Sequence, residues 1–576
     1  MALNYNTILG TDTANTLIGT SGADSIVALD GNDSIHFTGE ASNASVVGGS
    51  GNDTISFAKA SSGATAGGGE GDDSIRFVKA LTDSSDLRGG IGNDTISIAD
   101  KLISSKVYGA GTGIASDDGD DSIIIGSTIS AGLVQGNAGN DTISLAANVK
   151  ANSLIRGGAG VDFISSVSTL TSSTVYGDLG DDTIKFTAIN ASTIQGGNQI
   201  DTSTDGIDSI VISGTATKAF IQSNAGNDSI SLSTTTKTTV KAGGGKDWIS
   251  NSGAILSSTV SGDKGEDSIF LGGSAANNIK NSSVQGGTSA DSIVVSGRAL
   301  TSTIRGGAGS DTLDLTLGSN TTTANNAKGI VFGDSGNDSI IVNQSYGYVS
   351  IYGDNEKVAS GNDSIYFGGG GGSNAIIDMY VHGNGGDDNL SSGVINSVSS
   401  STISGGAGND TIRFTSGEIG GGSIIDTGLG NDQITLQRIS SATITGGVGN
   451  DTINFSSAVT QASIVAGVGN DSVTFSTGVT AASALASTYF FGNNSGTDTI
   501  SFTAGQSGFV IGVSADFGST GSYGEVVTSG NATLTLLSLG TANKIAFANQ
   551  ATTGFGTLAT GISVITVSQS AIDGLG

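Results

Sequence analysis

Aspartate recurs along this chain at a spacing suited to a long series of hard cations. The repeated unit reads Gly-Gly-x-Gly-Asn-Asp-Thr-Ile-x-Phe, with good copies starting at Gly48, Gly89, Gly405 and Gly446. Its closing aspartate appears as Asp53, Asp73, Asp94, Asp121, Asp141, Asp162, Asp182, Asp208, Asp228, Asp247 and Asp267. It continues as Asp291, Asp311, Asp338, Asp363, Asp388, Asp410, Asp432, Asp451 and Asp471, with a late copy at Asp498. Aspartate is the shorter carboxylate, tolerates turn geometry and ligates hard cations from tight loops. Asn or Gly would serve equally if only turn geometry mattered, yet this position stays Asp in nearly every copy. The glycines have a matching reason: carbonyls that turn inward need backbone angles closed to other residues. Gly49 and Gly51, Gly90 and Gly92, Gly406 and Gly408, and Gly447 and Gly449 are the candidate carbonyl donors beside these aspartates.

The elements that position this series are strands. In Asp53-Thr-Ile55-Ser-Phe57 the apolar residues are two apart and share one face. Ile55, Phe57, Ile96, Ile143, Ile184 and Phe186 are therefore expected inward, with Ser56, Ser97, Ser144 and Lys185 outward. The other half of each unit is a Ser/Thr/Ala stretch ending in a second strand, as in Ser-Thr-Val175, Ser-Thr-Ile194, Ser-Thr-Ile304 and Ala-Thr-Ile444. One connecting turn carries the Gly/Asp motif and the other does not. Three Gly/Asp turns are enlarged, at Gly109–Asp121, Gly196–Asp208 and Gly353–Asp363. The N-terminus keeps another rhythm, with Asn15, Asp24 and Asp33 nine residues apart.

A nonapeptide Gly-Gly-x-Gly-x-Asp-x-U-x, with U a large apolar residue, is the calcium-binding signature of RTX proteins. On these motifs the chain, over roughly residues 10–500, resembles RTX β-roll proteins. The resemblance implies an all-β, right-handed parallel β-solenoid with two strands per coil of about 20 residues. It implies N-terminal capping nonapeptides over 1–36, a solenoid over 37–500, and a non-repetitive β-rich tail over 501–576 serving as cap, secretion signal or assembly segment. It also implies calcium as cofactor, about 20 ions in a row along one edge, held by Asp carboxylates and Gly-x-Gly carbonyls between successive turns. Asp24 and Asp33 join this ligand set, and the nonapeptides could add a few ions on the other edge.

Composition narrows the function. The chain has 576 residues, 94 of them glycine, no proline, no cysteine and a net charge of −29. Such a charge repels nucleic acid and anionic lipid. Without cysteine there are no disulfides and no thiolate chemistry. No apolar run is long enough for a membrane span. The start, Met-Ala-Leu-Asn-Tyr-Asn, lacks the basic and apolar regions of a secretory signal peptide. The segment Asp201–Gly206 has an EF-hand look, but Ile212 stands where that loop needs Glu. Gly243-Gly-Gly-Lys246 is followed by Asp247 rather than the Ser or Thr of a phosphate loop. His36 and His382 belong to no metal motif, and both read as surface residues, as does Trp248 on the sheet exterior. Paired carboxylates are abundant, but near-identical repeats are unlike the unique constellation of an active site, so no enzyme is expected.

The repeats fill nearly the whole chain, an architecture that resembles bacterial surface-layer proteins and oscillin-like fibrillar coat proteins. The leading expectation is a secreted structural protein of the cell surface or extracellular matrix, self-associating into a layer or filament and exported by type I secretion. A calcium-dependent adhesin, or a protein binding cell-surface polysaccharide through its enlarged turns, is the alternative. A solenoidal polysaccharide lyase or epimerase would need a basic, aromatic-lined groove, and 22 basic residues are few for that.

Overall fold

The computed structural model describes residues 6–111, 118–197, 205–272, 278–315, 329–343, 349–355, 361–368 and 375–476, and the backbone of five later strands. All regular structure among them is strand, and every pairing between named strands is parallel. The chain forms two compact units, residues 1–273 and 274–576. Each is built from stacked coils with one stretch in a first sheet and the other in a second sheet.

One coil shows the logic. The strand Ser45–Ser50 lies in the first sheet, Gly51–Asp53 makes the turn, and the strand Thr54–Phe57 enters the second sheet. A two-residue strand, Ser61–Ser62, extends the second sheet before the chain turns into Thr65–Glu70 of the next coil. Register follows the repeat length: Ser25 pairs with Ser45, Ser45 with Thr65, and Thr65 with Asp86. The first coil is shorter, with Asn6 paired to Asp24 and Thr16 to Ser34, so the nonapeptides alternate between the sheets.

The strands form because their inward residues stack on copies of themselves. Ile35, Ile55, Ile75, Ile96, Ile123 and Ile143 make one buried column. Phe37, Phe57 and Phe77 make the next, with ring centroids 4.6 and 4.1 Å apart. Phe186 and Ile184 are also buried, while Ser56, Ser97, Ser144 and Lys185 face outward. Burying such a side chain is worth about 1.5–3 kcal/mol. A single coil contributes only a few, so each depends on its neighbours.

The second-sheet stretch is longer than the motif suggests. Leu81, Leu102, Ile129 and Val149 add a further buried column. In some coils the break closes and one strand runs the whole way, as in Phe163–Thr171 and Thr183–Asn190. Past residue 500 the backbone still pairs in parallel: Ser487–Phe491 with Phe509–Ser514, and the latter with Ser563–Val567. Among the described residues no helix is long and apolar enough to cross a membrane.

Candidate metal edge

Each Gly/Asp turn delivers its aspartate to the same place. The residue sits just before the second-sheet strand and its carboxylate folds back under the turn. In most coils the first turn residue is glycine, and its missing side chain leaves room for this carboxylate; Ala28, Ser223, Ala242, Thr427 and Ala466 hold the position in the others. A Cβ on Gly48 would lie 2.2 Å from Asp53 Oδ2 and 2.3 Å from the Gly68 carbonyl oxygen of the next coil. The same crowding recurs at Gly157 with Asp162 and Gly405 with Asp410. In turns of ordinary length the second and fourth positions have positive φ, 126° at Gly49 and 120° at Gly51. In these turns, where the second is not glycine it is Asn137, Asp178, Asn224, Asp263, Asp334, Asn384 or, once, Leu29 (φ 78°).

The aspartates form a ladder. The backbone N–H of each donates to Oδ1 of the equivalent aspartate one coil on. In the first unit this runs from Asn15 N–H to Asp33 and onward to Asp267, at 2.6 to 2.9 Å. In the second it runs from Asp291 to Asp471, at 2.7 to 2.9 Å. Asp53, Asp141, Asp228 and Asp410 are no more than 2% exposed. Their second oxygens, Oδ2, are buried without a hydrogen-bond partner, as are those of Asp33, Asp94, Asp182, Asp338 and Asp451.

A buried, partnerless carboxylate oxygen is costly, and the electrostatics register it. Burial pushes Asp53 up to about 6, Asp141 to about 8 and Asp182 to about 9. The N–H of the preceding aspartate opposes the shift, and neighbouring carboxylates add to it, as Asp162 does for Asp141. Either a proton or a cation relieves this. The donors are hard oxygens, carboxylate and backbone carbonyl, the set calcium takes. Among the described residues no point gathers three or more Asp, Glu or His side chains. An ion there would therefore draw most of its ligands from backbone carbonyls, as the repeat chemistry requires. The residues present fit calcium on that footing.

The opposite edge carries a parallel ladder made of serine. Gly132 N–H donates to Ser153 Oγ, Ser153 N–H to Ser173 Oγ, and Ser173 N–H to Ser192 Oγ, each at 3.2 Å. Each hydroxyl then donates within its own turn: Ser153 to Lys150 O at 2.6 Å, Ser173 to Thr171 O at 2.9 Å, Ser192 to Asn190 O at 2.8 Å. The same pattern holds at Ser302 and Ser401 in the second unit.

The structure thus brings Asp33 through Asp471 into one kind of position and separates Asp24 from them. By register Asp24 stands on the serine edge, one coil before Ala44, where Thr20 N–H and Oγ donate to its Oδ2 at 2.7 and 3.0 Å. Asp498 precedes the strand residue Thr499, which pairs with Ser472. Gly49, Gly51, Gly90, Gly92, Gly406, Gly408, Gly447 and Gly449 all hold the positive-φ turn positions. Carbonyls at these positions point along the stack: Gly49 O lies 1.9 Å from where a Cβ on Gly69 would be. Trp248 is on the exterior, 6.0 Å from Phe270 between ring centroids. His36 is exposed, whereas His382 is half-buried and its Nδ1 accepts the Asn384 N–H at 2.9 Å.

Two features escaped the sequence reading. The serine ladder was one. The other is the residue before each Asp, whose Oδ1 accepts from the following coil: Asn431 N–H to Asn409 at 2.9 Å, Asn450 N–H to Asn431 at 2.8 Å. The recurrence of Asn or Asp at that position was the available signal.

Comparison with curated proteins and with solved structures gave no match. The family model for the RTX calcium-binding nonapeptide repeat (4 copies) matches residues 9–41, 38–56, 133–147, 302–322, 400–418 and 443–457. This chain is an all-β parallel solenoid that carries RTX calcium-binding repeats in several copies along its length.

Proposed function

We propose that this is a secreted structural protein of the cell surface or extracellular matrix, which folds on meeting calcium outside the cell and assembles into a layer, fibril or coat. The observation that carries the reading is the row of buried carboxylates, in which Oδ2 of Asp53, Asp94, Asp141, Asp182, Asp338 and Asp451, among others, lacks a hydrogen-bond partner. At cytoplasmic calcium levels the clustered charge opposes folding. Extracellular modules bind at about 10⁻⁴–10⁻³ M, so millimolar calcium fills the row and couples one coil to the next. Circular dichroism during a calcium titration of the full chain is the test, with electron microscopy of the product for assembly. A steep rise of β-structure near millimolar calcium is expected. Full β-structure in excess chelator at pH 9, where the carboxylates are ionised, sinks the reading. Export by type I secretion, read from roughly the last 60 residues, belongs to the same proposal; normal export of a chain lacking them would remove that part.

One observation favours glycan binding as a second role. Arg88, Tyr108, Gln135, Arg156 and Tyr176 occupy equivalent outward positions on consecutive first-sheet strands. Arg88 lies over Tyr108 at 4.5 Å and Arg156 over Tyr176 at 5.0 Å. A groove of about 530 Å³ beside them is lined by Asn152, Arg156, Ser172, Thr174, Tyr176 and Thr193, among others. Aromatic faces and planar polar groups suit a sugar's C–H face and hydroxyls. The basic and aromatic residues are few, but here they are collected rather than scattered. Glycan-array binding that disappears in Tyr176→Ala supports this role; unchanged binding, or none, removes it.

A further inference from the structure

The enlarged turns do more than accommodate extra chain. In an ordinary coil, the third turn residue donates its N–H to the carbonyl of the second turn residue one coil back. Val448 donates to Gly428 O at 2.7 Å and Val468 to Gly447 O at 2.8 Å. Where a turn is enlarged the acceptor is instead a carboxylate. Ala138 N–H donates to Asp118 Oδ2 at 3.1 Å, and Ala225 N–H to Asp205 Oδ2 at 3.0 Å. In the third enlarged turn, Asp354 Oδ2 accepts Gly361 N–H at 3.1 Å, and the Asp354 carboxylate also takes the N–H of Gly385, the third turn residue of the next coil. Three separate insertions therefore share one device: an aspartate carboxylate accepts the N–H that a backbone carbonyl accepts in an ordinary coil.

The device leaves a surplus. Oδ1 of Asp118, of Asp205 and of Asp354 is buried without a partner. Asp354 is fully buried, with 0% of its surface exposed. Its charge is felt by Asp338, Asp363 and Asp388 of the main row. Asp118 acts likewise on Asp121 and Asp141, and Asp205 on Asp208 and Asp228. We propose that each enlarged turn builds a reinforced calcium site, in which the added carboxylate (Asp118, Asp205 or Asp354) joins the regular row and holds its ion more tightly than the ordinary coils do. Affinity of oxygen sites rises with the number of charged ligands. An additional carboxylate is expected to tighten binding by about tenfold. These three sites fill first as calcium rises and empty last as it falls.

The proposal rests on the reading of this edge as a calcium row, and the test separates the two. The full chain is loaded with calcium and moved through buffers of decreasing free calcium. Bound calcium per chain is counted by atomic emission, and fold is followed by circular dichroism. The wild type should retain one ion per enlarged turn after the others have left. Asp118→Asn, Asp205→Asn and Asp354→Asn together keep an oxygen acceptor for Ala138, Ala225 and Gly385, so the coils still stack at saturating calcium, but the retained ions are lost. If the triple variant does not fold, each single variant should lose one retained ion. Asp83→Asn, which alters an exposed carboxylate held by the Ser62 and Thr82 hydroxyls away from the aspartate row, should change nothing. Release of all wild-type ions in one step, or an unchanged retained number in the variants, overturns the proposal while leaving the calcium row standing. No calcium binding at all overturns both.

Discussion

The aspartate edge and the serine edge are the same hydrogen-bonding device built with different side chains. On both, a buried side chain accepts the backbone N–H of the equivalent turn one coil earlier, as Asp141 does from Asp121 and Ser153 does from Gly132. The hydroxyl has one remaining proton and gives it to its own turn, so the serine edge is complete as a polypeptide. The carboxylate has no proton to give, and its second oxygen is left buried, as in Asp141. One edge is therefore self-sufficient and the other depends on something added. Variation within the chain agrees. The serine column also holds Ala44, Ala64, Gly132, Ala219 and Met379, whereas the aspartate column from Asp33 to Asp471 is aspartate throughout the described residues. A position that only caps a turn can be filled by a methyl group. A position that must carry charge cannot.

The largest consequence of this difference is a pH dependence that only the metal-free protein shows. Burial raises the folded pKa of Asp94 to about 8, Asp121 to about 9 and Asp410 to about 7, against 3.8 for a carboxyl in the unfolded chain. A group whose folded pKa is raised adds stability that is complete below its unfolded pKa and disappears as pH climbs through the folded value. In chelator, β-structure should therefore be present near pH 4 and vanish between about pH 6 and 9. Saturating calcium should abolish this loss. Circular dichroism against pH, with and without calcium, is the measurement. A metal-free chain that keeps its strands at pH 9 would show the two edges to be equally self-sufficient.

Single substitutions should sharpen the contrast. Asp141→Ala removes a carboxylate from the row and leaves the Asp121 N–H unsatisfied, at a cost of about 3 kcal/mol. It should also move the calcium midpoint of folding upward. Ser153→Ala leaves the Gly132 N–H and the Lys150 carbonyl unpaired, costs about 1–2 kcal/mol, and should not move that midpoint. Equal midpoint shifts in calcium-titrated melts would contradict the assignment of the metal to one edge.

The smallest effect should come from the outer asparagine ladder. Asn431 accepts from Asn450 and donates its backbone N–H to Asn409, but it is exposed. Asn431→Ala should cost about 0.5–1 kcal/mol, since water replaces most of what is lost. Thermal melts at saturating calcium check it, and a cost as large as that of Asp141→Ala would give this ladder a role in holding the ion.

The amino-acid sequence by itself determined the coil. The step from Asp53 to Asp73, the alternation of Ile55 and Phe57, and glycine at the positive-φ positions Gly49 and Gly51 are local facts, and local rules read them correctly. It could not tell which turn oxygens are already satisfied, because partners lie about 20 residues apart and meet only when coils stack. Asp24 looks like Asp33 in a nonapeptide, yet it stands opposite Ala44 on the serine edge rather than in the row. Asp118, Asp205 and Asp354 look like loop acids until the next coil's backbone N–H groups arrive against them. Hydrogen-bond satisfaction is a property of neighbours, and in a solenoid the neighbours are supplied by the next turn of the chain.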